Sequence, residues 1–400
     1  MKRLTGCVWM LTGVMGLGGA GTRAAEDAVA CIATVERRFI IETAEGYLDS
    51  EPVTVTAKVS PRSAGGPNDF YSEGDYWWPD PGNPEAPYIQ RDGQTNPDLF
   101  VADRLAMIRL SRIAGIQTSA WLLTGDARFA ESVGRHLEAW FIDPETRMNP
   151  HMLYAQAIHG RVTGRGIGII DTIHLVEVAR SVELLAQNEA LPDRLVAGVK
   201  GWFGEFVEWL TTHRYGIDER NTHNNHATCW VMQVGAFARL AGNEEVLDQC
   251  RKRFREILSS QMAADGSFPH ELGRTKPYGY ALFNLDAFLT VAEILSDEQH
   301  DLYAYVTPDG KSLRLGAEFL YPYVEDKSGW PYGQDVMYWD DWPVRHPFLL
   351  FAGRAYDRPE YIELWKTLDG YPEVREVIRN LPIRHPLLWL LDRPLTAPGG

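Results

Sequence analysis

Cysteine is scarce in this chain, with 4 among 400 residues, and Cys7 lies in a segment expected to be removed. The remaining Cys31, Cys229 and Cys250 allow one disulfide at most, so the fold is not a cysteine-stapled scaffold. Positive charge is also short: 39 Lys and Arg face 54 Asp and Glu, a net of −15. That balance argues against a nucleic-acid partner, because such binding rests on neutralising phosphates. No segment past the first two dozen residues reaches the roughly 20 apolar residues of a membrane span. Alternating strands are nearly missing, Val53-Thr54-Val55 being the one short hint. What remains is a chain 45% apolar and only 23% charged, enough to bury a large core. It is also rich in flat amphipathic rings, with 13 Trp and 17 Tyr, which suit both a core and a cleft for sugar rings.

The start reads as an export signal. Lys2 and Arg3 precede an apolar stretch from Leu4 to about Gly18, and Thr22-Arg23-Ala24 offers a small-residue cleavage site. Removal of 1–24 takes away Lys2, Arg3 and Arg23 and leaves residues 25–400 as a single domain in the periplasm or outside the cell. Leu4-Thr5-Gly6-Cys7 imitates a lipoprotein box, but it precedes the apolar stretch, so no lipid anchor is expected.

Helical periodicity dominates the rest. Phe129, Val133, Leu137, Trp140 and Phe141 share one face, and Leu105, Ile108, Ile113 and Trp121 belong to a preceding helix. The two meet at Thr124-Gly125-Asp126, where Asp126 is an N-cap. The pattern recurs at Leu240-Ala241-Gly242-Asn243, between a helix from about Asn225 and one carrying Val246, Cys250, Phe254 and Ile257. Further helices are expected near 168–188, 192–212, 278–297, 311–323 and 372–380. Repeated hairpins without a strict sequence period point to an all-α fold, an (α/α) toroid or incomplete barrel of helical hairpins. Two aromatic segments without periodicity, 69–80 and 330–342, read as loops lining its central cleft. Tyr76, Trp77 and Trp339 in them are sugar platforms or hydrophobic clamps.

Two clusters carry chemistry. In Asn221-Thr222-His223-Asn224-Asn225-His226, Asn224 caps the coming helix. His226 shares a face with Trp230, Val234 and Phe237 and points inward, either as a buried structural histidine or as a proton carrier. His223 and His226 form an H-x-x-H pair, but H-E-x-x-H is missing and no further ligand cluster accompanies it, so no metal is expected. The second cluster runs from Pro269 to Tyr280. Pro277 suits a first helical turn with Thr275 as cap, and Arg274 just before it is placed to lower the Tyr280 phenol's pKa or to pair with Glu271.

These residues resemble the alginate lyase superfamily of toroidal polysaccharide lyases. The resemblance is carried by Asn224-Asn225-His226 with Trp230, by Glu271-Leu272 with Arg274-Thr275 and Tyr280, and by Tyr76-Trp77-Trp78-Pro79-Asp80-Pro81. Arg91-Asp92-Gly93, Asn149-Pro150 with Tyr154-Ala155-Gln156, and Gly164-Arg165-Gly166 through Asp171 add to it, and it spans about Asp69 to Tyr323. The pattern is most similar to polysaccharide lyase family 38, related to family 5, whose members act on alginate or glucuronan. Gly273, Lys276 and Ala227 depart from it, at positions where Ala, Arg and Gly are expected.

The resemblance implies cleavage of 1,4-linked uronates by β-elimination, without metal or organic cofactor. Asn225 and Arg274 would neutralise the carboxylate, His226 or Tyr280 would take the C5 proton, and Tyr280 would protonate the leaving oxygen. Gln156, His159, Arg165 and Asn224 join Tyr76, Trp77 and Trp339 as expected sugar contacts. Two other readings stay open. A hydrolase would need paired carboxylates, from Asp335, Asp340 and Asp341 or from Asp75 and Asp80. A non-catalytic polysaccharide binder would need the aromatics alone.

Overall fold

The computed structural model describes residues 19–395. Most of the expected export signal, residues 1–18, lies outside the described residues, while 19–24 open the first helix, α1 (Gly19–Tyr47). The next helices are α2 (Ala102–Thr124) and α3 (Ala127–Leu137). Their joint is built as the sequence predicts. Gly125, at φ +71°, donates its N–H to Trp121 O, and Asp126 accepts from the Arg128 N–H at 3.0 Å. The pair α4 (Leu175–Gln187) and α5 (Asp193–Thr212) follows, then the short α6 (Arg214–Arg220).

The second predicted hairpin is α7 (Asn225–Ala241) and α8 (Glu244–Gln261), closed by Gly242 at φ +74° and capped by Asn243, which accepts from the Val246 N–H at 3.2 Å. After the single turn α9 (Pro269–Leu272) come α10 (Pro277–Leu295) and α11 (Leu313–Glu325). The last pair is α12 (Pro347–Ala355) and α13 (Pro359–Thr367), followed by α14 (Arg375–Arg379) and α15 (Leu387–Leu390).

Packing sorts these helices into two rings. Helix α10 is buried at every position except Glu293, and α2 and α7 are nearly as enclosed, which marks them as inner helices. Contacts run from α1 to α2, α2 to α4, α4 to α7, α7 to α10, α10 to α12, and back from α12 to α1. Outside them, α3 packs on α2, α5 and α8 on α7, α11 on α10, and α13 on α12. The outer helices bury one stripe each: in α8 the buried Val246, Leu247, Cys250, Phe254, Ile257 and Leu258 recur at helical spacing, with charged residues between. The architecture is the expected (α/α) toroid. No helix among the described residues is long and apolar enough to cross a membrane.

Several expectations are corrected. Val53-Thr54-Val55 is no strand: Thr54 caps a 3₁₀ turn at Val55–Ala57. Strand pairing occurs instead within the segment 69–80 that reads as loop. There β1 (Tyr71–Glu73) pairs in parallel with β4 (Tyr154–Ala157), and β2 (Trp77–Trp78) pairs antiparallel with β3 (Ile89–Gln90). At two to four residues, these strands are too short to show a period. The helix expected from 168 divides into a 3₁₀ turn, Gly166–Thr172, and α4, which starts at Leu175. Close approach explains the break, since a Cβ on Gly168 would sit 2.7 Å from the Ala155 backbone.

Candidate active site

Two inner helices that pack on each other, α7 and α10, begin at the same cleft and bring the two sequence clusters together. Asn225 and His226 occupy the first turn of α7, and Tyr280 the first turn of α10. The cleft has a cavity volume of about 100 Å³ and is also lined by Tyr76, Trp77, Gln156, Arg165, Arg274 and Arg379. In a protein of net charge −15, the three arginines of this cleft outnumber its two aspartates, Asp75 and Asp92, a local excess of positive charge that favours an anion.

Asn225 and His226 are each held by a buried acid, and neither pairing is visible in the sequence. Glu219, on α6 and fully enclosed, lies 2.6 Å from His226 Nδ1. With that carboxylate as acceptor, Nδ1–H donates and Nε2 is the ring nitrogen left for a ligand. Glu271, on α9, accepts from the Asn225 backbone N–H at 2.6 Å and from its Nδ2 at 2.7 Å. Burial pushes the Glu271 carboxyl up to about 7, against the lowering pull of these hydrogen bonds, Arg274 and His226.

Arg274 does not pair with Glu271. It grips Asp92, with Nε at 3.2 Å and Nη2 at 2.8 Å, which leaves Nη1 for a ligand carboxylate. Burial opposes ionisation of Asp92, but the Arg274 hydrogen bonds and charge win and hold its carboxyl below the usual range. Gly93, at φ +74°, lets this loop close on Thr275, where any Cβ would collide. Thr275 is therefore no helix cap: its hydroxyl donates to Asp92 at 3.0 Å, and Lys276 stands at the cap position. The first amides of α10, from Tyr278 and Gly279, donate instead to Asp335, both at 2.9 Å.

Tyr280 carries a second correction. Its phenol pKa is raised well above 10, not lowered. Burial and the neighbouring Tyr76 outweigh the opposing charges of Lys276 and Arg274, so the hydroxyl keeps its proton. The Arg274 guanidinium lies 4.6 Å from the Tyr280 ring centre, over its face.

The expected sugar contacts divide. Tyr76, Trp77, Gln156 and Arg165 line the cleft. Trp77 has Arg161 and Arg165 near its ring, at 5.3 and 5.9 Å. Gln156 sits at φ +48°, a strained backbone held by its N–H to Ser72 Oγ at 2.9 Å and its Nε2 to Asp171 at 3.1 Å. Arg165 in turn donates to the Gln156 carbonyl at 2.9 Å.

His159 lies off the cleft, exposed in a neighbouring groove and 5.1 Å from the Tyr88 ring. Trp339 is not at the cleft either. It packs 5.4 Å from Tyr278 with Lys327 over its ring, closing the outer part of the fold. Asn224 stands at the cap position of α7, but its side chain makes no capping bond; its carbonyl accepts from Gln261 at 3.0 Å.

The carboxylates named for hydrolysis have other employment. Asp335 caps α10, Asp340 and Asp341 are exposed, and Asp80 closes a turn onto the Gly82 N–H. Asp75 is bound by Arg104 at 2.7 Å and by Arg379 at 3.1 Å. Residues that sequence reasoning passes over are thus mainly acids and their partners, Glu219, Glu376, Arg104 and Arg379, while Glu271 is visible to it but with the wrong partner. Their roles come from contacts across the fold, which no local pattern announces.

Comparison with known proteins agrees with the toroidal fold. Among solved structures, an alginate lyase from Bacteroides ovatus is 30% identical, with 92% of this chain and 97% of that one covered and a TM-score of 0.79. A substituted form of alginate lyase A1-III from Sphingomonas species A1, complexed with a tetrasaccharide, is 14% identical over 96% of this chain and all of its own. Its TM-score of 0.52 speaks for the shared fold alone. No curated protein matches the chain. Residues 54–330, which hold both helix starts and the loops around them, match the alginate lyase family, and the chain belongs to that family of polysaccharide lyases.

Proposed function

We propose that the protein cleaves alginate by β-elimination, with His226 as base and Tyr280 as acid. One observation carries the division of roles: a carboxylate-held imidazole and a phenol kept protonated face the same arginine-lined cleft. An imidazole whose Nε2 is left open by its Nδ1 contact, and a hydroxyl that keeps its proton, are suited to opposite halves of a proton-transfer reaction.

The uronate carboxylate comes first, because the neighbouring C5 proton is barely acidic while that group keeps its charge. Arg274 Nη1 and the free edge of the Asn225 amide meet it, aided by the positive end of α7. His226 Nε2 then takes the C5 proton, and Glu219 stabilises the resulting imidazolium. The C5–H electron pair becomes the C4–C5 double bond, and the C4–O4 bond breaks. Tyr280 gives its proton to O4. Trp77 and Tyr76 flank the sugar, and the reaction calls on no cofactor.

Alginate is favoured over glucuronan because the family match and the 30%-identical Bacteroides ovatus protein both carry that name. The charged start and apolar run of residues 2–18 support an exported enzyme, where such a polymer is met. The deciding experiment is a panel of polymannuronate, polyguluronate and glucuronan, read by ultraviolet absorbance of unsaturated uronate ends. Absorbance on the alginate blocks is expected. New reducing ends without absorbance would mean hydrolysis, and binding without either product would mean no catalysis.

A further inference from the structure

Behind Tyr280 lies a buried chain of polar groups that the reaction above does not use. Tyr76 Oη is 2.7 Å from Tyr280 Oη and 3.1 Å from Glu376 Oε1. Lys276 Nζ donates to the same Tyr76 oxygen at 3.0 Å and is paired with Glu376, whose second oxygen takes Arg379 at 3.1 Å. Lys276, Glu376 and Tyr280 are all at most 7% exposed. The charged groups bearing on the two phenols are Lys276, Arg274, Arg379, Glu376 and Asp75.

Hydrogen accounting gives this chain two arrangements. Tyr76 has one hydroxyl hydrogen and two acceptors in reach. Given to Glu376, it leaves Tyr76 Oη as the acceptor for Tyr280, whose own hydrogen then points away from the cleft. Given to Tyr280, it makes the Tyr280 oxygen an acceptor and frees the Tyr280 hydrogen for a leaving oxygen. Glu376 needs Tyr76 little. Despite burial, Arg379 and Lys276 hold its carboxyl down to about 2, with the Tyr76 hydrogen bond a smaller contribution, and each of its oxygens already faces a cation.

We propose that Lys276 and Tyr76 are positioning residues that aim the acid: Lys276 occupies Glu376 and donates to Tyr76, which turns the Tyr76 hydrogen onto Tyr280 and the Tyr280 hydrogen into the cleft. The inference rests on Tyr280 being the acid. It also accounts for the state after transfer. The O–H bond of Tyr280 breaks, its proton goes to O4, and the electron pair left on the phenolate already faces the Tyr76 hydrogen. Lys276 and Arg274, 5.0 and 4.6 Å from the ring centre, lie near that charge.

The test compares Tyr76→Phe, Lys276→Met and Lys276→Arg with the wild-type protein on alginate. Tyr76→Phe and Lys276→Met should lower kcat about 10- to 100-fold with KM changed less than about threefold, because only the transition state uses the aimed proton. Lys276→Arg, which keeps the charge and donors, should recover most of that loss. Ultraviolet difference titration of the folded proteins should show a phenol ionising at higher pH in Lys276→Met, since a buried cation is gone.

Wild-type turnover with both variants near normal would overturn this inference alone. A higher KM at unchanged kcat would also overturn it, by making Tyr76 a plain sugar contact. An inactive wild-type protein would remove the lyase reading, and the inference with it. If circular dichroism shows Lys276→Met unfolded, Tyr76→Phe and Lys276→Arg decide.

Discussion

Replacing Glu219 with Gln tests the base without touching the substrate. The side chain is fully enclosed and 2.6 Å from His226 Nδ1, so the isostere keeps shape and an acceptor oxygen while deleting the charge. A hydrogen bond to a charged partner is worth about 1.5–3 kcal/mol against about 0.5–1.5 for a neutral one. The difference, about 1–1.5 kcal/mol, matters most when the imidazole takes the proton, and it converts to a roughly 5- to 15-fold fall in kcat. That is the lower bound. If the new amide turns its NH₂ towards Nδ1, the ring is trapped in the wrong tautomer, a change that costs about 10⁴-fold in the serine-protease triad.

Initial rates by ultraviolet absorbance on the best polyuronate measure the effect, with circular dichroism confirming the fold. The double variant with His226→Ala should be no slower than His226→Ala alone, because Glu219 acts only through the ring. A Glu219→Gln enzyme within twofold of wild type, or a double variant markedly slower than His226→Ala, would refute the pairing of these two residues as one unit.

Tyr280→Phe keeps the ring and its packing but deletes the acid, so kcat should fall about 100- to 10,000-fold with substrate affinity nearly intact, as binding and turnover assays on the same variant would show. Arg274→Lys keeps a positive charge but loses the fork that grips Asp92 at 2.8 and 3.2 Å, so activity should drop and KM for the polymer rise in steady-state kinetics.

Acid stability should depend on His136, which burial, with Arg109 and Arg135, lowers to about 4. The folded protein holds it neutral while the unfolded chain protonates near 6.5, so its contribution is full above that pH and is lost as pH falls. By pH 5 the loss is about 2 kcal/mol, and urea unfolding of His136→Gln should show a smaller decline between pH 7 and 5 than wild type. Mass spectrometry of protein exported by its native host should find residues up to about Ala24 removed; a retained Met1 would contradict the export signal.

The hairpins were legible because their joints are local. Gly125-Asp126 and Gly242-Asn243 stop one helix and cap the next within two residues, and periodicity does the rest. Asn225, His226, Arg274 and Tyr280 were legible as a group because each cluster opens a helix, and the structure brings those helix starts to one cleft. The supports were not legible. Glu271 reaches Asn225 across 46 positions, and Arg274 reaches Asp92 across 182. The Tyr280 phenol was misread for the same reason: Arg274 is visible in the sequence, but the burial that outweighs it is not. Trp339 shows the converse, an aromatic loop residue whose partners Tyr278 and Lys327 make it packing.

Ring closure sets a constraint on how the chain is made. Helix α1 completes the inner circle against α12, and α15 reaches back to α2 and α4, with the Leu395 N–H donating to Leu122 O at 2.7 Å. Contacts of such sequence separation form slowly, because the closure entropy of the intervening chain precedes any reward. The part of α1 that meets α12 and α15 therefore waits uncovered until these last helices arrive, although α2 covers the rest earlier. A core that cannot be sealed before synthesis ends leaves the chain open for that interval, which is compatible with the proposed export.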